Sequence, residues 1–211
     1  MISGRKRKSL TSTIYRRFQA KKWEGRWCKE DSHFAWELNA HAPSVAHSLR
    51  NGWLVPGMEV LDIGCGLGFN AAWLAQHNFN VLGIDVSKTV IAKARSLHPA
   101  CENLEFLTLD VTASGKLQRQ FDAVVDRGCF HGISTKLHRD YVRNLGLWLK
   151  PGGVALILMA SFGRSKDDLI HHFRVLFGTN LRIDGFEAIS MFRNKDGTSF
   201  DGFEVRLRKP S

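Results

Sequence analysis

No apolar run in the 211 residues approaches the roughly 18 that a membrane-spanning helix requires. The N-terminus lacks the apolar stretch of a secretory signal. The four cysteines, Cys28, Cys65, Cys101 and Cys129, are widely separated and form no C-x-x-C pair. That spacing argues against a zinc site and against a disulfide framework, so a reducing cytoplasm is the expected compartment. His171-His172 has no acid or cysteine at metal-ligand spacing, and no metal is expected. There is neither an internal repeat nor a low-complexity segment. With 44% hydrophobic residues, the chain reads as one globular domain large enough for a substantial core.

Acidic residues are absent from residues 1–22, which hold Arg5, Lys6, Arg7, Lys8, Arg16, Arg17, Lys21 and Lys22. These eight cations account for most of the net charge of +10 and leave +2 for the remainder. The body is close to neutral and the tail carries the charge. Such a tail is a solvated extension or an arm for nucleic acid or another anionic surface. It also shares the Arg-rich, acid-free composition of a mitochondrial transit peptide. From Thr13 to Trp23 the pattern predicts a helix, with Ile14 and Phe18 one turn apart, that could lie over a pocket as a lid.

The centre of the chain is Glu59–Asn70, EVLDIGCGLGFN. Val60, Leu61 and Ile63 predict a buried strand. Gly64, Gly66 and Gly68 follow at alternate positions, where the backbone needs positive φ or close approach of a ligand. Asn70–His77 then reads as a helix. Strand, glycine turn and helix form the nucleotide-cradling unit of open α/β sheets, with the ligand at the carboxyl end of the strand. The dinucleotide fingerprint G-x-G-x-x-G is not met, because its third glycine position is Phe69. Asp62 also precedes the first glycine, where a carboxylate repels pyrophosphate and suits a cation. A second strand, Val81–Asp85, ends in a carboxylate placed for ribose hydroxyls. The third, Leu104–Leu109, runs into Asp110-Val111.

This pattern resembles motif I and the following strand ends of the class I S-adenosylmethionine (SAM) methyltransferases. The resemblance implies a Rossmann-like α/β fold: a seven-stranded, mostly parallel sheet with a terminal antiparallel hairpin and helices on both faces. It implies SAM as cofactor, held by Asp62, Gly64, Cys65, Gly66, Gly68, Asp85, Val86, Asp110, Val111 and Asp126. A basic tail, residues 1–22, would precede a methyltransferase domain, residues 23–211, whose N-terminal cap is residues 23–50.

Lys22-Trp23-Glu24-Gly25-Arg26-Trp27 and then Phe34 resemble the thiopurine, thiol, halide and tellurite-resistance methyltransferases, in which an aromatic segment folds over SAM. The resemblance puts Trp23 and Trp27 at the cofactor and Phe34 at the acceptor. Trp36, in a W-E-L-N stretch, is a second candidate for the cofactor edge. An indole face attracts a sulfonium cation, whereas the plainer reading packs these rings on the sheet.

The fourth strand, Phe121–Asp126, leads into Arg127-Gly128-Cys129-Phe130-His131. The Asp-Arg-Gly step is also similar to the thiopurine group, and places Arg127 near cofactor and acceptor. The alternative is a salt bridge from Arg127 to Asp126 or another acid. His131 could serve as a base or acceptor contact. Cys129 is a packed residue or a thiol activated by Arg127. Ser87 predicts the cap of a helix ending near His98-Pro99. Lys136–Leu149 and Asp167–Phe177 predict helices. The LKPGG turn at residues 149–153, frequent in this family, precedes an apolar strand, Val154–Ala160. Phe186–Phe192 and Phe203–Leu207 predict a hairpin around Asn194–Gly197.

The expected activity is methyl transfer to a small molecule, best a soft nucleophile: a thiol, a selenium or tellurium oxyanion, or a halide. Methylation of oxygen or nitrogen in a natural product, or of nucleic acid through the basic tail, stays open. The motif N/D-P-P-Y/F/W of DNA and RNA amino-methylating enzymes is absent after the fourth strand. The sequence does not specify the oligomeric state.

Overall fold

A computed structural model describes residues 3–29, 39–99, 101–113, 117–178, 180–193 and 199–211. It contains one seven-stranded sheet in the order β3-β2-β1-β4-β5-β7-β6. The first five strands are β1 (Glu59–Ile63), β2 (Asn80–Asp85), β3 (Leu104–Thr108), β4 (Phe121–Arg127) and β5 (Leu149–Ala160), all parallel. The hairpin of β6 (Arg182–Arg193) and β7 (Ser199–Arg208) closes the sheet, with β7 antiparallel to both β5 and β6. The fold matches the expectation strand for strand.

Helices cover both faces. Helices α2 (Pro43–Arg50), α3 (Phe69–Gln76) and α4 (Lys88–Leu97) pack Val45, Ala71, Leu74 and Ile91 on one side. Helix α5 (Cys129–Gly132), α6 (His138–Trp148) and α7 (Lys166–Phe177) pack Phe130, Tyr141, Trp148, Phe173 and Phe177 on the other. Alternation along β1 feeds both layers, with Leu61 and Ile63 in one and Val60 in the other.

Chain direction reverses between β1 and β4. The chain leaves β1 toward β2 and β3, then returns to lay β4 on the other edge of β1. The crevice beyond the carboxyl ends of β1 and β4 is where open α/β sheets bind ligands. Ser87 caps α4 as expected, its Oγ accepting the Val90 N–H at 3.2 Å.

Several boundaries differ from the sequence pattern. Helix α1 is one continuous helix, Ser3–Trp27, that crosses the boundary placed at residue 22 and extends well beyond Thr13–Trp23. The residues before α6 form a 3-10 turn, Thr135–Leu137, and Leu149 already pairs with Phe121 as the start of β5. The LKPGG turn is a register shift within β5, with Gly152 at φ +75°. Strands β6 and β7 outrun their apolar centres because ion pairs continue the ladder: Arg182 and Arg208 both reach Asp184. The turn predicted at 194–197 lies outside the described residues. Among the described residues, no helix is long and apolar enough to cross a membrane.

Candidate active site

The crevice holds a cavity of about 560 Å³ roofed by α1. Its floor is the glycine turn after β1, where Gly64, Gly66 and Gly68 have φ of +65°, +55° and +81°. A Cβ on Gly64 would stand 2.5 Å from the Cys129 Cβ, so close approach of the turn to α5 requires glycine there. The Trp27 ring lies over the turn, 3.6 Å from where a Gly66 Cβ would be.

Three carboxylates from successive strand ends, Asp62, Asp85 and Asp110, line this cavity. Asp85 accepts from Gly66 N–H at 3.2 Å and from Ser87 N–H at 2.9 Å, which ties the glycine turn to the end of β2. Asp110 accepts from the N–H and hydroxyl of Thr112 at 2.8 and 2.7 Å. Asp62 is buried, and its Oδ2 has no hydrogen-bond partner. Burial and the nearby Asp126 raise its carboxyl to about 7. A buried carboxylate oxygen without a partner, facing a cavity lined by two more acids, fits a cationic ligand and repels a pyrophosphate.

Set beside this geometry, the family model described as a methyltransferase domain matches residues 60–153, from β1 into β5. The chain is a SAM-dependent methyltransferase, similar to the class I enzymes. SAM is the cofactor of this methyltransferase. It is 28% identical over 177 residues to a protein of Arabidopsis thaliana named probable thiol methyltransferase 2, covering 82% of this chain and 76% of that one. Two solved structures share the methyltransferase's fold. One, reported for conversion of a disulfide bond into a thioacetal group during echinomycin biosynthesis, has a TM-score of 0.79 at 23% identity, covering 90% of this chain and 92% of that one. The other, the N-methyltransferase NodS from Bradyrhizobium japonicum WM9 with S-adenosylhomocysteine, has a TM-score of 0.68 at 18% identity, covering 92% and 99%.

Most of the residues singled out in the sequence converge on the methyltransferase's cavity: Trp23, Trp27, Asp62, Gly64, Cys65, Gly66, Asp85, Val86, Asp110, Val111, Arg127 and His131. Phe34 and Trp36 lie outside the described residues. Gly68 does not line the cavity and instead starts α3 against Phe106, which a Cβ there would strike. Asp126 is turned away too. It is buried, and its oxygens accept from Cys129 N–H at 2.8 Å, Phe130 N–H at 3.0 Å and Tyr141 O–H at 2.7 Å. Asp126 therefore holds the loop after β4, its oxygens engaged by these donors and outside the cavity lining.

The expectation of a base at His131 meets a physical obstacle. Its Nδ1 accepts the backbone N–H of Ala160 at 3.1 Å, so the ring's lone pair is occupied. Burial and the Arg127 guanidinium push the imidazole down to about 4. Cys129 is likewise not an activated thiol, since burial and then Asp126 raise it well above its usual value.

Several contributors are not legible in the sequence. Gln19 Nε2 donates to the Gly132 carbonyl at 2.6 Å, and Arg16 pairs with Asp140 at 2.7 Å. Glu24 accepts from the Thr89 hydroxyl at 2.7 Å, and Lys93 Nζ donates to the Trp27 carbonyl at 2.9 Å. These contacts dock α1 on α4 at one rim and on α5 and α6 at the other. The only sequence signal is the spacing of Tyr15, Gln19, Trp23 and Trp27, four residues apart on one face. Phe162, with φ +49°, stands edge-on to His131 at 5.2 Å between centroids.

Proposed function

We propose that the enzyme transfers the SAM methyl group to a small soft nucleophile, best a thiolate. The observation that carries this reading is the polarity of the two cavity halves. The β1–β3 side presents Asp62, Asp85 and Asp110, whereas the side formed by β4 to β7 and their loops presents Arg127, whose guanidinium also feels the Asp62 charge, with Ile133, Ala160, Phe162, Met191 and Phe200. In this reading Asp62 holds the cofactor's ammonium, Asp85 the ribose hydroxyls and Asp110 the adenine amino group. Trp27 and the glycine turn sandwich what lies between, with Trp23 at the edge. Arg127 holds the acceptor.

The cofactor supplies a methyl group on a sulfonium, a carbon already activated for displacement. The protein's part is to align an acceptor behind that carbon and exclude water, and alignment alone contributes about 7–11 kcal/mol. Among the described residues the acceptor side carries no free base, since His131 is engaged. A thiol, with an ordinary pKa of about 8.5, ionises without one, and a buried guanidinium favours its anion. The name of the Arabidopsis relative supports the same class. The basic residues on α1 are read as part of the roof, with nucleic acid as the rival ligand.

The test is S-adenosylhomocysteine release against aromatic and aliphatic thiols, selenite, tellurite, iodide, phenols, amines and bulk RNA. Turnover on thiols or chalcogen anions is expected. Turnover confined to phenols, amines or RNA would overturn the reading.

A further inference from the structure

We propose that His131 is a fixed hydrogen-bond donor that, with the Arg127 guanidinium, makes the acceptor side selective for a nucleophile arriving already anionic. The inference rests on the soft-nucleophile reading and names its substrate class: anions whose own acidity removes the proton before binding.

The argument starts at Ala160. Its backbone N–H can only donate, so Nδ1 of His131, 3.1 Å away, must be the unprotonated nitrogen. A neutral ring then carries its proton on Nε2. No further hydrogen bond holds this ring among the described residues, and the ring lines the cavity beside Arg127. The tautomer is set by the wall: Ala160 closes β5, a rigid strand paired on both sides. Gly128 completes the arrangement, because a Cβ there would press within 3.3 Å of the imidazole. The acceptor therefore meets Nε2–H and a guanidinium, both donors. An anion satisfies them. A neutral amine turns its own N–H groups toward them, and a neutral alcohol finds no group to take its proton. In the transfer, the acceptor's lone pair forms the bond to the methyl carbon, the carbon–sulfur bond breaks with its pair going to sulfur, and no proton moves.

The experiment compares acceptor kcat/KM against pH, with SAM saturating at every pH so that titration of Asp62 does not enter, for iodide and for two thiols of different acidity, in wild type, His131→Gln and His131→Asn. Glutamine keeps a donor near the Nε2 position, whereas asparagine keeps only the partner for Ala160. The expected wild-type profile is flat for iodide and follows each thiol's own ionisation. His131→Gln should stay within about 3-fold of wild type, and His131→Asn should lose about 10-fold or more with SAM affinity unchanged. A limb in the ordinary histidine range shared by iodide and thiols would overturn the inference, as would equal losses in both variants. Turnover on phenols alone, following phenol ionisation, would sink the soft-nucleophile reading yet support the donor. Turnover confined to amines would overturn both. If no acceptor turns over, iodide binding to the S-adenosylhomocysteine complex decides. Weakening of about 10-fold in His131→Asn supports the donor, and unchanged binding refutes it.

Discussion

The Asp85 carboxylate accepts the N–H of Gly66 at 3.2 Å, so the acid that ends β2 also shapes the glycine turn that follows β1. In the proposed reading one side chain thus sets both the ribose edge and the floor of the cofactor half. Asp85→Ala should weaken SAM binding by about 1.5–3 kcal/mol, roughly 10- to 100-fold, by equilibrium titration. An unchanged affinity would remove Asp85 from the cofactor site.

If Asp62 holds the cofactor's ammonium as proposed, SAM affinity should depend on pH. Burial raises both neighbouring carboxyls to about 7, but Asp126 receives three donors that favour its anion whereas Asp62 Oδ2 has no partner, so the shared proton is assigned to Asp62. Its carboxyl rises from 3.8 to about 7 on folding, through burial and then Asp126. The stability this proton confers is present at low pH and is lost as pH rises toward 7. SAM affinity moves the opposite way, strengthening as Asp62 ionises. Calorimetric titration from pH 5.5 to 8.5 should show this in wild type and a flatter profile in Asp62→Asn. The same slope in both would refute the assignment.

Arg127→Ala should lower kcat/KM for the acceptor by about 10-fold or more and leave SAM binding within a few-fold. The reverse split, measured with saturating acceptor and then saturating SAM, would move Arg127 to the cofactor side.

Glycine positions differ in what they tolerate. Gly64→Ala meets both a positive φ of +65° and the Cys129 Cβ at 2.5 Å, so a loss of about 2 kcal/mol or more is expected in denaturant unfolding. Gly25→Ala, inside α1 with open space around it, should stabilise by about 0.5–1 kcal/mol. Equal effects would mean that the turn is looser than the structure shows.

The roof is held by a few polar contacts. Arg16→Ala with Gln19→Ala removes the bridge to Asp140 and the bond to Gly132. At about 0.5–1.5 kcal/mol each, their joint loss should speed S-adenosylhomocysteine release by roughly 10-fold in stopped-flow fluorescence. An unaltered rate would make α1 a passive cover.

The sequence by itself determined the sheet, the glycine turn and the acids at the ends of β1, β2 and β3. These signals are local: a strand's apolar run, the glycine that a positive φ demands, and the side chain at the strand end all lie within a dozen residues. What the sequence could not determine depended on partners distant along the chain. Asp126 looks like a fourth strand-end ligand until Tyr141 and the α5 N–H groups occupy its oxygens. His131 looks like a base until Ala160, 29 residues on, occupies its lone pair. Helix α1 reads as a charged tail until Gln19, Glu24 and Arg16 find Gly132, Thr89 and Asp140. Residue type sets what a group can donate or accept, and only packing decides which of those capacities is left for a ligand.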